Sequence, residues 1–319
     1  MTILVTGGAG FIGSHIAEHF QGRAHVRVLD NLRTGHRRNL DGLDVEFIEG
    51  SVTDRAAVER AVAGADYVFH LAALVSVPES MSAPRECAEI NVLGHLNVLE
   101  AAAAAGARKL VFASSAAVYG YAPATPTVET ATPEPRSPYA ITKLDGEYYN
   151  ALFTREGRLE TASIRFFNVF GPRQDPKGAY AAAVPIFIKR ALRGEMLSIF
   201  GDGGQTRDFI FVKDIVGALV FAAQTPGVTG VFNAGYGVST SVGALAEKIV
   251  ALTGGASRVE HLPERAGDVR HSLASAAKLR AAGWHPAHTF DEGLAETVRW
   301  FAANRPGSTA GGAGRGTLT

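Results

Sequence analysis

Met1 to Ser14 reads MTILVTGGAGFIGS, and the reading of this stretch decides the fold. Thr2 to Thr6 is a short β-branched and aliphatic run, the composition of a parallel strand buried on both faces. Gly7, Gly10 and Gly13 follow at a spacing of three, and Phe11, Ile12, Ile16 and Phe20 open a helical period directly after them. The stretch predicts strand, glycine turn, helix. A tight reversal needs φ angles open to glycine, and a diphosphate can approach a backbone closely where no Cβ intervenes. The following helix turns unpaired N–H groups and the positive end of its dipole towards the phosphates.

A second run, His25 to Leu29, ends in Asp30, 23 residues after Gly7. That is near the spacing at which an acid meets an adenosine ribose. A carboxylate accepts two ribose hydroxyls of NAD and repels the 2′-phosphate of NADP, which favours NAD. Arg33, Arg37 and Arg38 follow closely and keep a phosphate-binding alternative open.

Composition bounds the rest. With 319 residues, 46% of them hydrophobic and 19% charged, the chain can bury a large core in one big or two moderate domains. Lys plus Arg and Asp plus Glu number 31 each, so no net field favours nucleic acid or a membrane surface. One cysteine, Cys87, excludes internal disulfides and thiolate metal clusters. The N-terminal apolar run is too short for a signal peptide, and no later stretch is long and apolar enough to span a bilayer. A soluble protein of a reducing compartment, the cytoplasm, is expected.

After Asp30 the chain alternates short apolar strands with helices. Val45 to Glu49, Tyr67 to Leu71, Lys109 to Ser114, Thr161 to Phe166 and Val231 to Ala234 are predicted strands. Arg55 to Val62, Glu89 to Ala105 and Tyr139 to Arg155 are predicted helices, with Asn91 near the start of the second and Gly106 capping it. The alternation predicts an α/β fold, a Rossmann-type doubly wound parallel sheet, in which ligands sit beyond the carboxyl ends of the strands.

Residues just after strands are therefore the ones to search for chemistry. His70 to Ala73, HLAA, follows one strand, and Ser114 and Ser115 follow the next. Downstream, SPYAITK at 137–143 places Pro138 at a helix start, with Tyr139 and Lys143 one turn apart on the same face. A free tyrosine titrates near ~10, so base chemistry at neutral pH needs a depression of about 3 units, roughly 4 kcal/mol of phenolate stabilisation. A neighbouring ammonium and a cationic nicotinamide can supply it. His15 and His19, in HIAEH, match a zinc-protease pattern. They lie on the helix whose N-terminus already serves the dinucleotide, so a metal there would face away from the pocket, and no metal is expected.

Taken together, TGGAGFIG at 6–13, Asp30, HLAA at 70–73, SSAAVYG at 114–120, SPYAITK at 137–143 and RFFNVFGPRQ at 165–174 resemble an extended short-chain dehydrogenase/reductase, and more narrowly the UDP-sugar 4-epimerases. The resemblance runs to about residue 303. It implies an NAD-binding domain over 1–168, with strand 231–234 joining its sheet, and a smaller C-terminal substrate domain over 169–303. The glycine-rich segment 304–319 reads as a flexible tail.

By this resemblance Tyr139 would take the proton from the sugar 4-hydroxyl while hydride leaves C4 for the nicotinamide. Lys143 would hold the nicotinamide ribose and depress the tyrosine, and Ser115 would bond the reacting oxygen. The cofactor contacts implied are Gly7, Gly10, Phe11, Ile12, Gly13, Asp30, Asn31, Ser51, Val52, Leu71, Ala72, Ala73, Asn91, Ser114 and Phe166, with Tyr139 and Lys143. The substrate contacts implied are Asn168, Arg173, Arg207, Arg265, Asp268 and Ser272, with Ser115 and Tyr139. Two departures stand out: Ser51 takes a position often held by Asp, and Val75 one held in some relatives by Lys.

Related reactions differ in the serine loop. The 4,6-dehydratases carry Asp-Glu after the Ser/Thr, and the glucuronate decarboxylases carry Glu where Ala117 stands; here Ala116 and Ala117 follow Ser115. The 3,5-epimerases use a Cys with a Lys, and Cys87 lies far along the chain from these motifs. Simple C4 epimerisation needs none of these extra groups. Ser272 is small where the family tunes the sugar pocket, which keeps UDP-GlcNAc/UDP-GalNAc beside UDP-glucose/UDP-galactose. UDP-glucuronate is a third option, with Arg173 as the carboxylate partner. Net alcohol oxidation and a non-catalytic NAD sensor are the readings of other classes. The resemblance also implies a homodimer paired through helices 89–105 and 139–155.

Overall fold

A parallel strand covered by helices must bury both faces, and Thr2–Thr6 does so. Period two sends Ile3 and Val5 to one side of the sheet and Leu4 to the other, all three fully buried. The computed structural model describes residues 1–121, 125–176, 182–264 and 269–305. The first half runs β1 (Thr2–Thr6), α1 (Phe11–Phe20), β2 (His25–Asp30), β3 (Glu46–Glu49), α2 (Arg55–Val62), β4 (Tyr67–His70), α3 (Val77–Ser82), α4 (Pro84–Ala88), α5 (Gly94–Ala104), β5 (Lys109–Ser115), α6 (Pro138–Arg155) and β6 (Glu160–Phe166). The second runs β7 (Asn168–Phe170), α7 (Ala183–Ala191), β8 (Leu197–Phe200), β9 (Thr206–Arg207), β10 (Phe209–Phe211), α8 (Val212–Gln224), β11 (Gly230–Ala234), β12 (Thr240–Ser241), α9 (Val242–Leu252), β13 (Val259–Leu262), β14 (His271–Ser272), α10 (Ala277–Ala281) and α11 (Phe290–Ala303).

Seven parallel strands form the main sheet in the order β11-β6-β5-β4-β1-β2-β3. On one face Ile3 and Val5 share a core with Ile16 and Phe20 of α1 and Ile215 and Leu219 of α8. On the other, Leu4 and Leu29 share one with Val58 of α2, Leu99 of α5 and Phe153 of α6. Burial of each such side chain is worth about 1.5–3 kcal/mol, so the two cores clamp the sheet and leave its carboxyl edge free for ligands. The C-terminal domain adds a small β12-β9-β14 sheet and the pairs β8–β13 and β7–β10.

The helix expected over Glu89–Ala105 starts earlier, at Pro84, and passes through a π-helical turn, Glu89–Leu93, before α5. Asn91 therefore lies mid-path and not at a helix start. Its Oδ1 accepts from the Leu74 N–H at 2.7 Å, and its Nδ2 donates to the Leu74 carbonyl and to Thr142 Oγ1, both at 3.0 Å. Helix α3, which lacked a clear sequence period, is nucleated by Ser76, whose hydroxyl accepts from the Glu79 N–H. His15 is buried, with its Nε2 donating to the Pro172 carbonyl at 3.0 Å. Among the described residues no group of His, Cys, Asp or Glu is arranged to hold a metal. Nor is any described helix long and apolar enough to cross a membrane.

Candidate active site

A cleft of about 470 Å³ opens beyond β1 and β4, where the strand order reverses. This is the topological switch point at which open α/β sheets bind ligands. Gly7 turns the chain with φ +70°, and its N–H donates to the Leu29 carbonyl at 2.8 Å. A Cβ at Gly13 would stand 2.2 Å from the Gly7 carbonyl oxygen, so only hydrogen lets α1 sit this close to the turn. The N-cap of α1 is Gly10, which offers no side-chain cap. The first N–H groups of α1 consequently face the cleft beside Phe11, Ile12 and Gly13, free to receive a diphosphate.

At the adenosine end, Asp30 accepts from the Ala9 N–H at 2.9 Å and from the Leu32 N–H at 2.8 Å. Burial pushes its carboxyl up from the usual range while these two N–H groups oppose the shift. Each oxygen keeps a lone pair for a ribose hydroxyl. Two of the three cations that kept NADP open are engaged elsewhere: Arg33 pairs with Glu79 and Glu86, and the Arg37 guanidinium lies 4.1 Å from the centre of the Phe47 ring. Unpaired N–H groups, a wall without Cβ atoms and a carboxylate at the ribose end fit NAD. Thr6 holds the opposite wall, its Oγ1 accepting from the N–H groups of Leu71 and Ala72.

Asn31, Ser51, Val52, Leu71, Ala72, Ala73, Ser114 and Phe166 all line the cleft, whereas Asn91 does not. Asn91 works through the Leu74 backbone, behind the HLAA loop. Gly13→Val is expected to lower thermal stability and to reduce NAD retained through purification at least about tenfold, because overpacking of about 1–3 kcal/mol falls on the turn that holds the diphosphate. Nucleotide released on denaturation, measured by absorbance, checks this.

The reacting groups gather where β5 ends against the start of α6. The Ser137 hydroxyl caps α6 by accepting from the Ala140 N–H, and Pro138 occupies the first turn. Ser115, at the end of β5, accepts from the Ala117 N–H at 3.1 Å, and its hydroxyl is close enough to the Tyr139 phenol to favour the phenolate. Lys143 is buried, with Nζ donating to the Ala113 carbonyl at 2.8 Å and lying 5.8 Å from the centre of the Tyr139 ring. Burial lowers its ammonium to about 8.

Burial also pushes the Tyr139 phenol up, with the Ser115 hydroxyl opposing. The depression that base chemistry needs is thus not reached by the chain alone, which differs from the expectation placed on Lys143. Added positive charge in the cleft must supply it. A second correction concerns Cys87. Although distant in sequence, it packs beside Asn91 and Thr142, the latter on the helix that carries Tyr139 and Lys143. Burial pushes its thiol up, so it stays protonated and unsuited to proton abstraction.

A second cleft of about 520 Å³ lies among elements of the second half of the chain, lined among others by Asn168, Arg190, Phe200, Gln205, Arg207 and Leu262. Asn168 and Arg207, expected as substrate contacts, both line this second cleft. Arg190 and Gln205 were not singled out, because an arginine in α7 and a glutamine before β9 carry no local signal of function. Ser272 pairs in register with Arg207 across β14 and β9. Arg173 has φ +65°, and its guanidinium bonds Ser14 and Glu18 of α1, on the dinucleotide side. Arg173 also lines the first cleft, which Tyr139 and Ser115 share. Arg265 and Asp268 lie outside the described residues.

Comparison with known proteins follows the same lines. Residues 3–235 match the model of the NAD dependent epimerase/dehydratase family. The chain belongs to this family. It is 40% identical over 309 residues to a UDP-glucose 4-epimerase of Mycolicibacterium smegmatis, an alignment covering 94% of this chain and 98% of that one. Among solved structures it resembles a UDP-N-acetylglucosamine 4-epimerase from Methanobrevibacter ruminantium in complex with UDP-N-acetylmuramic acid (TM-score 0.91, 39% identity, 95% and 99% of the two chains). It likewise resembles a Thermus thermophilus UDP-glucose 4-epimerase in complex with NAD (TM-score 0.87, 39% identity, 96% and 100%). Other relatives are named as sugar-nucleotide decarboxylases and a dehydratase. The chain is an NAD-dependent enzyme of this extended short-chain dehydrogenase/reductase group, with a Rossmann-like fold and a C-terminal domain.

Proposed function

We propose that the chain reversibly epimerises C4 of a UDP-sugar through a 4-keto sugar. The observation that carries this reading is the character of the cleft wall at the reacting end: Tyr139, Ser115 and Lys143 meet there, and Ala116 and Ala117 follow Ser115. The acids on the described cleft wall are Asp30 and Asp175, and both belong to the adenosine end, Asp175 beside His36. Elimination of water wants a carboxyl group at the sugar; removal and return of one hydride does not. NAD, when bound, accepts the C4 hydride and gives it back. Tyr139 takes the 4-hydroxyl proton, Ser115 holds the same oxygen, and Lys143 places a positive charge next to the phenol. The ketone then presents its other face, and Tyr139 returns the proton.

For the sugar, the small Ser272 beside Arg207 favours a pocket that admits a 2-acetamido group, so UDP-GlcNAc/UDP-GalNAc is proposed together with UDP-glucose/UDP-galactose. Incubation with UDP-galactose, UDP-GalNAc and UDP-galacturonate in separate reactions, followed by chromatography, tests the proposal. Conversion of either of the first two to its C4 epimer supports it. Loss of carbon dioxide or water from any of the three, without epimer, rejects it.

The proposed assembly is a homodimer. Met81 of α3, Leu93 ahead of α5, and Ile141 and Tyr148 of α6 are each at least half exposed, an apolar set on neighbouring helices. The double substitution Ile141→Glu with Tyr148→Glu is expected to convert a dimer to a monomer in light scattering. A wild-type chain that runs as a monomer overturns this.

A further inference from the structure

We propose that Glu147 is a positioning residue of the reaction: it fixes the end of β5 against α6 and β6 so that Ser115 stays on the Tyr139 phenol, and its charge balances Arg165 beneath Lys143. The inference rests on the reaction site assigned above and extends it to residues one helical turn deeper. Glu147 and Arg165 are each only 3% exposed. Arg165 Nε donates to Glu147 Oε1 at 2.8 Å and its Nη2 to Oε2 at 2.6 Å, a bidentate pair in the interior. The Ser114 hydroxyl donates to the same Oε1.

Along α6, Tyr139, Lys143 and Glu147 recur at four-residue spacing and share a face. Each meets the end of β5: Tyr139 meets Ser115, Lys143 meets the Ala113 carbonyl, and Glu147 meets Ser114. Two of these three ties lie below the reacting pair, so the helix cannot slide along the strand without breaking them. The pair is braced from the far side, since the Arg165 guanidinium lies 4.6 Å from the centre of the Tyr119 ring and the Tyr119 hydroxyl donates to Asn233 of β11 at 2.7 Å. Buried charge pairs of this kind contribute little net stability, which makes a positional role the stronger reason for the arrangement.

The electrostatic part follows from what surrounds Lys143. The titratable groups facing it are Cys87 of α4, His70 at the end of β4, His95 of α5, and Tyr139 and Glu147 on its own helix. Burial keeps both histidines neutral and the thiol protonated. Glu147 thus remains the negative charge next to the ammonium, and Arg165 the positive charge behind it.

The test uses the NAD-loaded protein and two readouts. The first is the Lys143 titration by NMR of ¹³Cε-labelled lysine, its signal assigned by loss in Lys143→Met; this readout needs no sugar and stands even if the epimerase reading fails. The second is kcat and KM with the UDP-sugar that is turned over. Glu147→Gln should lower the Lys143 midpoint by about one pH unit and Arg165→Gln should raise it by a similar amount, because each removes one charge of the pair. In Glu147→Gln kcat should fall about 10- to 100-fold, with KM changed less than about threefold. If a single variant fails to fold, Glu147→Gln with Arg165→Gln carries the test: the midpoint returns close to wild type while kcat stays low. A Lys143 midpoint unmoved in the folded single variants, or kcat within about threefold of wild type in Glu147→Gln or in the double variant, overturns the proposal.

Discussion

Tyr139→Phe is expected to lower kcat for the UDP-sugar by about 10²- to 10⁴-fold, the range that a positioned proton donor and acceptor contributes. The substitution removes one oxygen and leaves the ring. Packing at the start of α6 and the NAD cleft are therefore retained, and KM and bound nucleotide should stay near wild-type values. The oxygen removed is the phenol whose ionised form the Ser115 hydroxyl favours, so the ketone loses its proton source while its binding surface survives. Chromatographic assay of turnover, with bound NAD counted after denaturation, separates the two effects. Activity within about threefold of wild type would rule out the phenol as base and acid.

Lys143→Met is expected to act in opposite directions on activity and stability. Turnover should drop about 10²-fold or more, because the positive charge next to the phenol is gone. The nucleotide-free chain should become more stable at neutral pH. The sign follows from the buried ammonium, which titrates at about 8 in the fold against 10.5 in the unfolded chain. Below pH 8 both states are protonated and the fold bears the full cost of the buried charge, about 3 kcal/mol. Between pH 8 and 10.5 the folded state gives up its proton first and the cost fades. The Ala113 carbonyl loses its partner in the variant, which returns about 1 kcal/mol. Thermal unfolding at pH 7 and pH 10 should therefore show a gain that shrinks as pH rises. A variant less stable than wild type at pH 7 would contradict the burial argument.

The dinucleotide half was legible with little error. β1 and α2 match the sequence-based bounds, while β3 begins at Glu46 in place of Val45 and β4 ends at His70 with Leu71 already in the turn. These elements announce themselves through apolar period, glycine spacing and caps, all of which are local. Arg173 shows the opposite case: nothing local in the sequence tells that its guanidinium meets Ser14 and Glu18 of α1, which the chain path after β7 decides. Asn91 was misplaced for a related reason, since it lies in a π-helical turn that carries no signal in the local sequence pattern.

By itself the sequence determined that strands alternate with helices, that a glycine turn opens α1, and that Tyr139 and Lys143 share a helix face one turn apart. Those facts depend on residues a few positions from one another, and backbone sterics and helical period settle them. Only the tertiary structure decided that Glu147 and Arg165 pair beneath the site, that Ser115 meets Tyr139, and that Arg190 and Gln205 line the second cleft. Such partnerships arise when separate elements pack, and the distance between two side chains on different elements follows from how sheet and helices dock.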